Sequence, residues 1–134
     1  MIVSNKVVVR FRNGMVLKGY AYDFQLCRAH FNLWPENGLR ERARTIPLEE
    51  IKLLCFVKTF SGNPGHRKQY AVGRKSGSLM KLRVRFRDGE NMLGTTESYH
   101  PDRSGFMMVP ADSEGNNLRV YVVSQAVSQC EREF

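Results

Sequence analysis

The chain has 134 residues, a length that suits one ordinary domain or two very small ones. No apolar run approaches the roughly 18 residues of a membrane span, and residues 1–6 lack the basic and apolar regions of an export signal. We therefore expect a cytoplasmic protein that does not contact membranes. A net charge of +8 and a pI near 9.8 predict attraction to polyanions.

The sequence repeats itself. One constant shift, which takes Arg10 to Arg85 and Phe11 to Phe86, aligns the two halves without a gap. We predict repeats at residues 1–60 and 76–134, joined at 61–75 by an exposed basic linker that is rich in turn-forming residues. Further identities at this shift are Lys6/Lys81, Val9/Val84, Arg12/Arg87, Gly14/Gly89, Gly19/Gly94, Arg28/Arg103, Phe31/Phe106, Pro35/Pro110 and Arg44/Arg119.

Each repeat begins with a predicted hairpin. Apolar residues alternate with arginines in the first strand, which predicts a cationic face and a buried face that carries Phe11 or Phe86. The Asn-Gly and Asp-Gly dipeptides at 13–14 and 88–89 favour tight hairpin turns. A glycine in the middle of the second strand predicts a bulge or a sharp bend; these glycines are Gly19 and Gly94.

Three more short strands are predicted in each repeat. In the first repeat they cover residues 30–34, 44–46 and 52–58, with a single helical turn at 47–51 before the last strand. Five short strands with a bent second strand describe a small, strongly bent barrel. We therefore predict an all-β fold of two tandem small β-barrels related by a pseudo-twofold axis.

Both repeats contain the pattern V-x-F-x-[DN]-G-x-x-x-x-G followed by Arg-x-x-Phe-x-x-x-Pro, at 6–35 and 81–110. This pattern resembles an uncharacterised bacterial tandem-repeat domain family, for which no activity is established. The predicted architecture is similar to the Sm-like and SH3-like small barrels. Since Sm-like barrels commonly bind RNA as ring-shaped oligomers, the resemblance implies RNA binding by a homo-oligomer.

The basic residues suggest an interface with nucleic acid. Arginines at alternate strand positions place their guanidinium groups about 7 Å apart, a spacing comparable to that of phosphates along a nucleic-acid strand. Residues 58–87 contain no Asp or Glu. A solvated strand face, or ion pairs with acids such as Glu90 and Glu97, is the alternative. The candidate residues are Arg10, Arg12, Arg83, Arg85 and Arg87 on strands, and Arg67, Lys68, Arg74 and Lys75 in the linker.

Two further features of each repeat have two interpretations. The loop arginines Arg28 and Arg103 either bond loop carbonyl groups or lie near a ligand at a barrel rim. Trp34, with Met107 at the matching strand of the other repeat, makes this strand apolar on both sides. Contact between repeats or subunits explains such a strand, and base stacking on Trp34 is the alternative.

Catalytic, metal and cofactor sites are not expected. Cys27 lies near His30, but the second repeat has Asp102 and Gly105 there, and no third orienting group is apparent. The odd number of cysteines, without a C-x-x-C pair, argues against disulfides and zinc, and the three histidines are dispersed. Arg40 and Arg44 have the arginine spacing of PilZ domains, which bind cyclic di-GMP, but the companion motif is incomplete at 102–107.

We therefore expect a binding module and not an enzyme. The leading hypothesis is contact with nucleic acid through the basic strand face and the linker. The alternative is a protein-interaction or assembly module that uses the apolar strands around Trp34 and Met107, and the third possibility is cyclic dinucleotide binding.

Overall fold

A computed structural model describes residues 5–25, 28–36, 42–60, 80–97, 99–100, 102–111 and 116–133. The fold is all-β, as predicted. Within these ranges, none of the helices has the length and apolar character needed to traverse a bilayer. Single 3-10 turns occur at Leu48–Glu50 and Ser124–Ala126. The strands are β1 (Lys6–Phe11), β2 (Val16–Tyr20), β3 (His30–Pro35), β4 (Arg44–Pro47), β5 (Ile51–Val57), β6 (Met80–Phe86), β7 (Asn91–Thr96), β8 (Gly105–Pro110), β9 (Asn117–Val123) and β10 (Val127–Glu133).

The strands form one antiparallel sheet of ten, in the order β10-β6-β7-β8-β9-β5-β1-β2-β3-β4, which does not close. The predicted pair of separate barrels is not confirmed, because β5 of the first half pairs directly with β9 of the second. Leu53 lies opposite Val122 and Leu54 opposite Tyr121. The two halves therefore share a continuous sheet. The predicted linker at 61–75 lies outside the described residues.

Two hydrophobic cores lie on opposite faces of the β5–β9 pair. Successive side chains of a strand point to opposite faces, and every residue of β5 is buried. Leu54 and Phe56 belong to the first core together with Tyr121 and Val123 of β9. The second core takes Leu53, Cys55 and Val57 of β5 together with residues of β6 to β9. Each half therefore contributes one strand to the core of the other.

The predicted burial of the two phenylalanines is confirmed. Phe11 is 5% exposed in the first core, and Phe86 is 1% exposed in the second. The period-two pattern was informative because burying one face of a strand fixes which alternate residues point inward.

Strand pairing in the two halves corresponds closely, but not at a single shift. The constant shift takes Val9 to Val84, and it would take Leu54, which lies opposite Val9, to Gln129. The residue opposite Val84 is instead Cys130, one position further along the chain. Similarly, Phe31 lies opposite Ile46, and Phe106 lies opposite Val122.

The ungapped alignment is therefore wrong from β4 onward, where the shift is longer by one position. Arg44 corresponds to Val120 and not to Arg119. The connection after β3 absorbs the difference, because a slip within a strand would reverse its faces whereas a connecting loop tolerates an insertion.

The glycines have two different roles. Gly14 and Gly89 have φ values of +92° and +96° in the hairpin turns, as the dipeptides predicted. At Gly94 the pairing register does not shift. A Cβ there would lie 2.6 Å from Met108 Cγ and from the Val109 carbonyl oxygen. The missing side chain therefore allows β8 to approach β7 closely, and the predicted bulge does not occur at this position.

Candidate nucleic-acid interface

Three of the five predicted strand arginines have partners in the second half, at Glu90 or Gln125. Arg10 is half-buried, and its Nη2 lies 2.9 Å from Glu90 Oε1. Arg12 Nη1 donates to Gln125 Oε1 at 3.4 Å, and Arg87 Nε donates to the Gln125 carbonyl oxygen at 2.8 Å. The ion pair between Arg10 and Glu90 is the alternative that the sequence had left open. Arg10 and Arg12 therefore connect the two halves, whereas Arg87 bonds within the second half.

A group of four charged side chains, the junction cluster, consists of Arg10, Lys52, Asp88 and Glu90. The Lys52 residue is 4% exposed, and its Nζ lies 2.7 Å from Asp88 Oδ2, contacts the Glu90 carboxylate and lies 4.6 Å from the centre of the Phe86 ring. The hydrogen bond from Lys52 holds the pKa of Asp88 below its ordinary value. Burial raises the pKa of Glu90, but hydrogen bonds from Lys52 and Arg10 outweigh that effect and lower it.

The other two strand arginines lie on an open face of the second half. Arg83 and Arg85 are exposed on β6 and line a groove of about 730 Å³ beside Gln129 and Glu131 of β10. Glu131 lies opposite Arg83 in the pairing register. The face therefore carries both signs of charge, which weakens it as a binding surface for a polyanion.

The strongest aromatic surface lies on the first half. It consists of Tyr20, Tyr22, Trp34 and Phe60, and we call it the aromatic patch. The Tyr20 and Tyr22 rings are parallel within 1° with centres 6.0 Å apart, Phe60 lies edge-on to Tyr20 at 5.3 Å, and Trp34 lies 5.4 Å from Tyr22. Tyr22 is 47% exposed, and the other three rings are partly exposed. The patch therefore presents ring surface to solvent.

Lysines border the aromatic patch. Lys18 is exposed on β2, and its Nζ donates to the Phe60 carbonyl oxygen at 2.7 Å. Lys6 Nζ lies 6.0 Å from the centre of the Phe60 ring, a cation–π distance. The acid-free segment that contains Arg67, Lys68, Arg74 and Lys75 follows Phe60 in the sequence. These four residues lie outside the described ranges, so their role stays a prediction.

Trp34 and Met107 do not share a surface. Met107 is half-buried on β8 and packs against the first core, which makes it a contact between the halves. Trp34 contacts Tyr22 in the aromatic patch, where β2 and β3 pair. The patch has no counterpart in the second half, because the constant shift places Thr95, Glu97 and Val109 at the positions of Tyr20, Tyr22 and Trp34.

The loop arginines Arg28 and Arg103 are exposed, and their backbones form the same turn. Arg28 N donates to the Gln25 carbonyl oxygen at 3.2 Å, and Arg103 N donates to that of His100 at 3.1 Å. Arg28 also lines an open pocket of about 380 Å³ where the halves meet, together with residues that include His30, Glu49, Ser104 and Gln125. Arg103 is not among the residues that line it, although its neighbour Ser104 is.

Two observations on the described residues concern metal binding and thiol chemistry. No group of three His, Cys, Asp or Glu side chains among them is placed to hold a metal ion. Burial raises the pKa of the Cys130 thiol, which keeps it protonated near neutral pH. Cys27 lies outside the described residues, and so does Arg40 of the PilZ-like spacing. His30 and Arg44 are exposed on β3 and β4.

Comparison with known proteins identifies a family whose function is unknown. A family model described as a family of unknown function, DUF6982, matches residues 3–132. No curated protein and no solved structure matched the chain.

Proposed function

We propose that this chain, which belongs to the DUF6982 family of unknown function, is a non-enzymatic module that binds single-stranded nucleic acid in the cytoplasm. The aromatic patch and its lysines carry this proposal. Every nucleobase has an apolar face that stacks on an aromatic ring, and a neighbouring cation attracts the phosphate. In a duplex these base faces are covered by stacking, so single strands are the expected ligand.

The charge distribution supports the same ligand. The chain carries a net charge of +8, and no Asp or Glu occurs from residue 58 to residue 87. This stretch includes Lys58 before Phe60 and the four basic linker residues after it, which bring positive charge into sequence next to the patch. Phosphate contacts of this kind release counterions, so the affinity should fall as the salt concentration rises.

The strand order supports the finer proposal about the fold. Each half has the order five-one-two-three-four when its strands are numbered separately, with a 3-10 turn before the fifth strand. We propose that the halves arose by duplication of one unit of Sm-like or SH3-like type, and that the two bent units share the β5–β9 pair. Small barrels of this kind use one exposed face for ligands.

The test exploits the single tryptophan of the chain, Trp34. Single-stranded RNA or DNA of about 12 nucleotides, a length within the site sizes of small β-barrels, should quench Trp34 emission, and a matched duplex should quench it much less. Fluorescence anisotropy of labelled strands gives the affinity at low and high salt.

Substitution in the aromatic patch tests the stacking. Tyr22→Ala removes one ring, and stacking of about 1–3 kcal/mol per base predicts a loss of about 5-fold to 150-fold in affinity. Val109→Ala is the matched control, since Val109 is exposed at the position of the second half that corresponds to Trp34. The proposal fails if low-salt binding is absent at about 50 µM protein, a weak-binding limit, or if both variants lose affinity equally.

The same measurements discriminate the other candidates. Quenching of Trp34 by cyclic di-GMP, without binding of longer strands, would favour the cyclic dinucleotide hypothesis. A change of oligomeric mass in Trp34→Ala, with nucleic-acid affinity intact, would favour a protein contact at the aromatic patch.

A further inference from the structure

The contact between the halves joins unlike strands. β5, the fifth strand of the first half, pairs with β9, the fourth strand of the second half. In such a heterologous contact each partner uses a different surface, so one complementary surface is left at each end. Among the described strands, these remaining surfaces are β4 and β10, which lie at the two ends of the sheet.

β4 and β10 are the counterparts of β9 and β5. With the longer shift that applies from β4 onward, Arg44 and Ile46 of β4 correspond to Val120 and Val122 of β9. In the same way, Leu53 of β5 corresponds to Gln129 of β10. Their outer backbone N–H and C=O groups face away from the sheet, and such an edge is a template for pairing with another strand.

We propose that β10 of one copy pairs antiparallel with β4 of a second copy, so that the chain associates head to tail in the arrangement of the β5–β9 pair. Replacing each residue of the β5–β9 register by its counterpart places Gln129 opposite Ile46, Cys130 opposite Thr45 and Glu131 opposite Arg44 of the second copy. Glu131 and Arg44 are both exposed, and opposite charges on directly opposed strand residues attract.

The groove beside β10 supports the same partner. In the first half, the corresponding outer face of β1 and β5 is covered by the second half: Val8 packs against the second core, and Arg10 pairs with Glu90. In the second half this face is the open groove lined by Arg83, Arg85 and Glu131. The groove thus lies where a second copy would continue the contact that already joins the halves.

This contact between copies is weaker than the contact between halves. The outward residues of β5, which include Leu53 and Cys55, are apolar, whereas their β10 counterparts Gln129 and Glu131 are polar and exposed. Ser128 also replaces Lys52, so the junction cluster has no equivalent between copies. We therefore expect reversible association that depends on concentration and weakens with salt.

Sedimentation velocity of the full chain tests the proposal, over about 10 µM to 1 mM protein, the range of weak association. The wild type should grow in mass with concentration. Glu131→Arg and Arg44→Glu should each weaken association by about tenfold through like charges on opposed strands, and the double variant Glu131→Arg with Arg44→Glu should restore it. Glu97→Arg, an exposed residue beyond β7, is the matched control and should behave as the wild type.

Thermal unfolding of each variant checks that the edge strand stays folded, since Arg83 lies opposite Glu131 on β6. Arg44→Glu keeps the test independent of that contact because Arg44 lies on the other edge. A wild type that remains monomeric at about 1 mM and low salt overturns the proposal. So does association that the single reversals leave unchanged, or that the double reversal does not restore.

Discussion

Lys52→Met is the most informative perturbation of the contact between the halves. The Lys52 side chain is 6% exposed, and its ammonium group is the one cation of the junction cluster that contacts both Asp88 and Glu90. Methionine has a similar length and keeps the apolar part of the packing. The substitution therefore tests the charge with little change in shape.

The expected cost follows from the exposure of the two carboxylates. The Asp88 side chain is 53% exposed, so solvent screens its contact and its contribution is below about 1 kcal/mol. The Glu90 side chain is 26% exposed, and a hydrogen bond to a charged group contributes about 1.5–3 kcal/mol. Two effects reduce the loss of stability: Arg10 stays beside Glu90, and the variant no longer pays the desolvation cost of a buried ammonium group. We expect a net loss of about 1–3 kcal/mol at pH 7.

The loss should depend on pH with a definite sign. The folded pKa values of Asp88 and Glu90 are lowered, so this part of the stability is complete above the unfolded values of about 4 and is lost as pH falls through the folded values. The difference between the wild type and Lys52→Met should therefore be largest at pH 7 and shrink in acid.

Urea unfolding followed by circular dichroism, at several values of pH between about 3 and 7, measures that difference. Lys58→Met, an exposed lysine beyond the end of β5, is the control and should change stability little at any pH. A wild-type advantage that stays constant across this range would refute the electrostatic reasoning.

Three further substitutions test the packing, each by chemical or thermal unfolding. Gly94→Ala should destabilise the fold by about 1–3 kcal/mol, because its Cβ would meet Met108 Cγ at 2.6 Å; a neutral effect would contradict the close approach of β7 and β8. Tyr121→Phe should stabilise the fold by up to about 1–2 kcal/mol, since the buried Tyr121 hydroxyl lacks a hydrogen-bond partner among the described residues, and any loss of stability would count against this. Leu53→Ala should cost about 2–5 kcal/mol, and the transitions seen by Trp34 fluorescence and circular dichroism should stay coincident, since separate transitions would mean that the halves unfold independently.

The local features of the fold could be predicted from the sequence. The burial of Phe11 and Phe86 and the turns at Gly14 and Gly89 depend on a few neighbouring residues, and their physical causes are local. The pairing of β5 with β9 was not predictable in this way. A strand such as β5, apolar except for Lys52, is buried whether it completes one barrel or lies between two cores, so its sequence does not distinguish these arrangements.

The candidate site was predicted only in part. The strand arginines were identified as cations, but Arg10 pairs with Glu90, and periodicity does not reveal which outward charges find partners in another element. Lys52 was missed, although a lysine in an otherwise apolar strand is a signal of a buried ionic contact. Tyr20 and Tyr22 were also missed; their spacing of two puts both rings on one face of an extended segment.

The burial of β5 explains why the two halves belong together. A unit of about 60 residues buries a smaller share of its surface than a larger domain does and is marginal alone. Separating the halves would expose Leu53, Cys55 and Val57 on one side and Tyr121 and Val123 on the other. Each buried aliphatic or aromatic side chain contributes about 1.5–3 kcal/mol, so this exposure would cost more than such a unit can lose. The polar outer edges at β4 and β10 carry no comparable apolar set. The same strand geometry thus makes an obligate contact inside the chain and a reversible one between copies, and the difference lies in the residues at the outward positions.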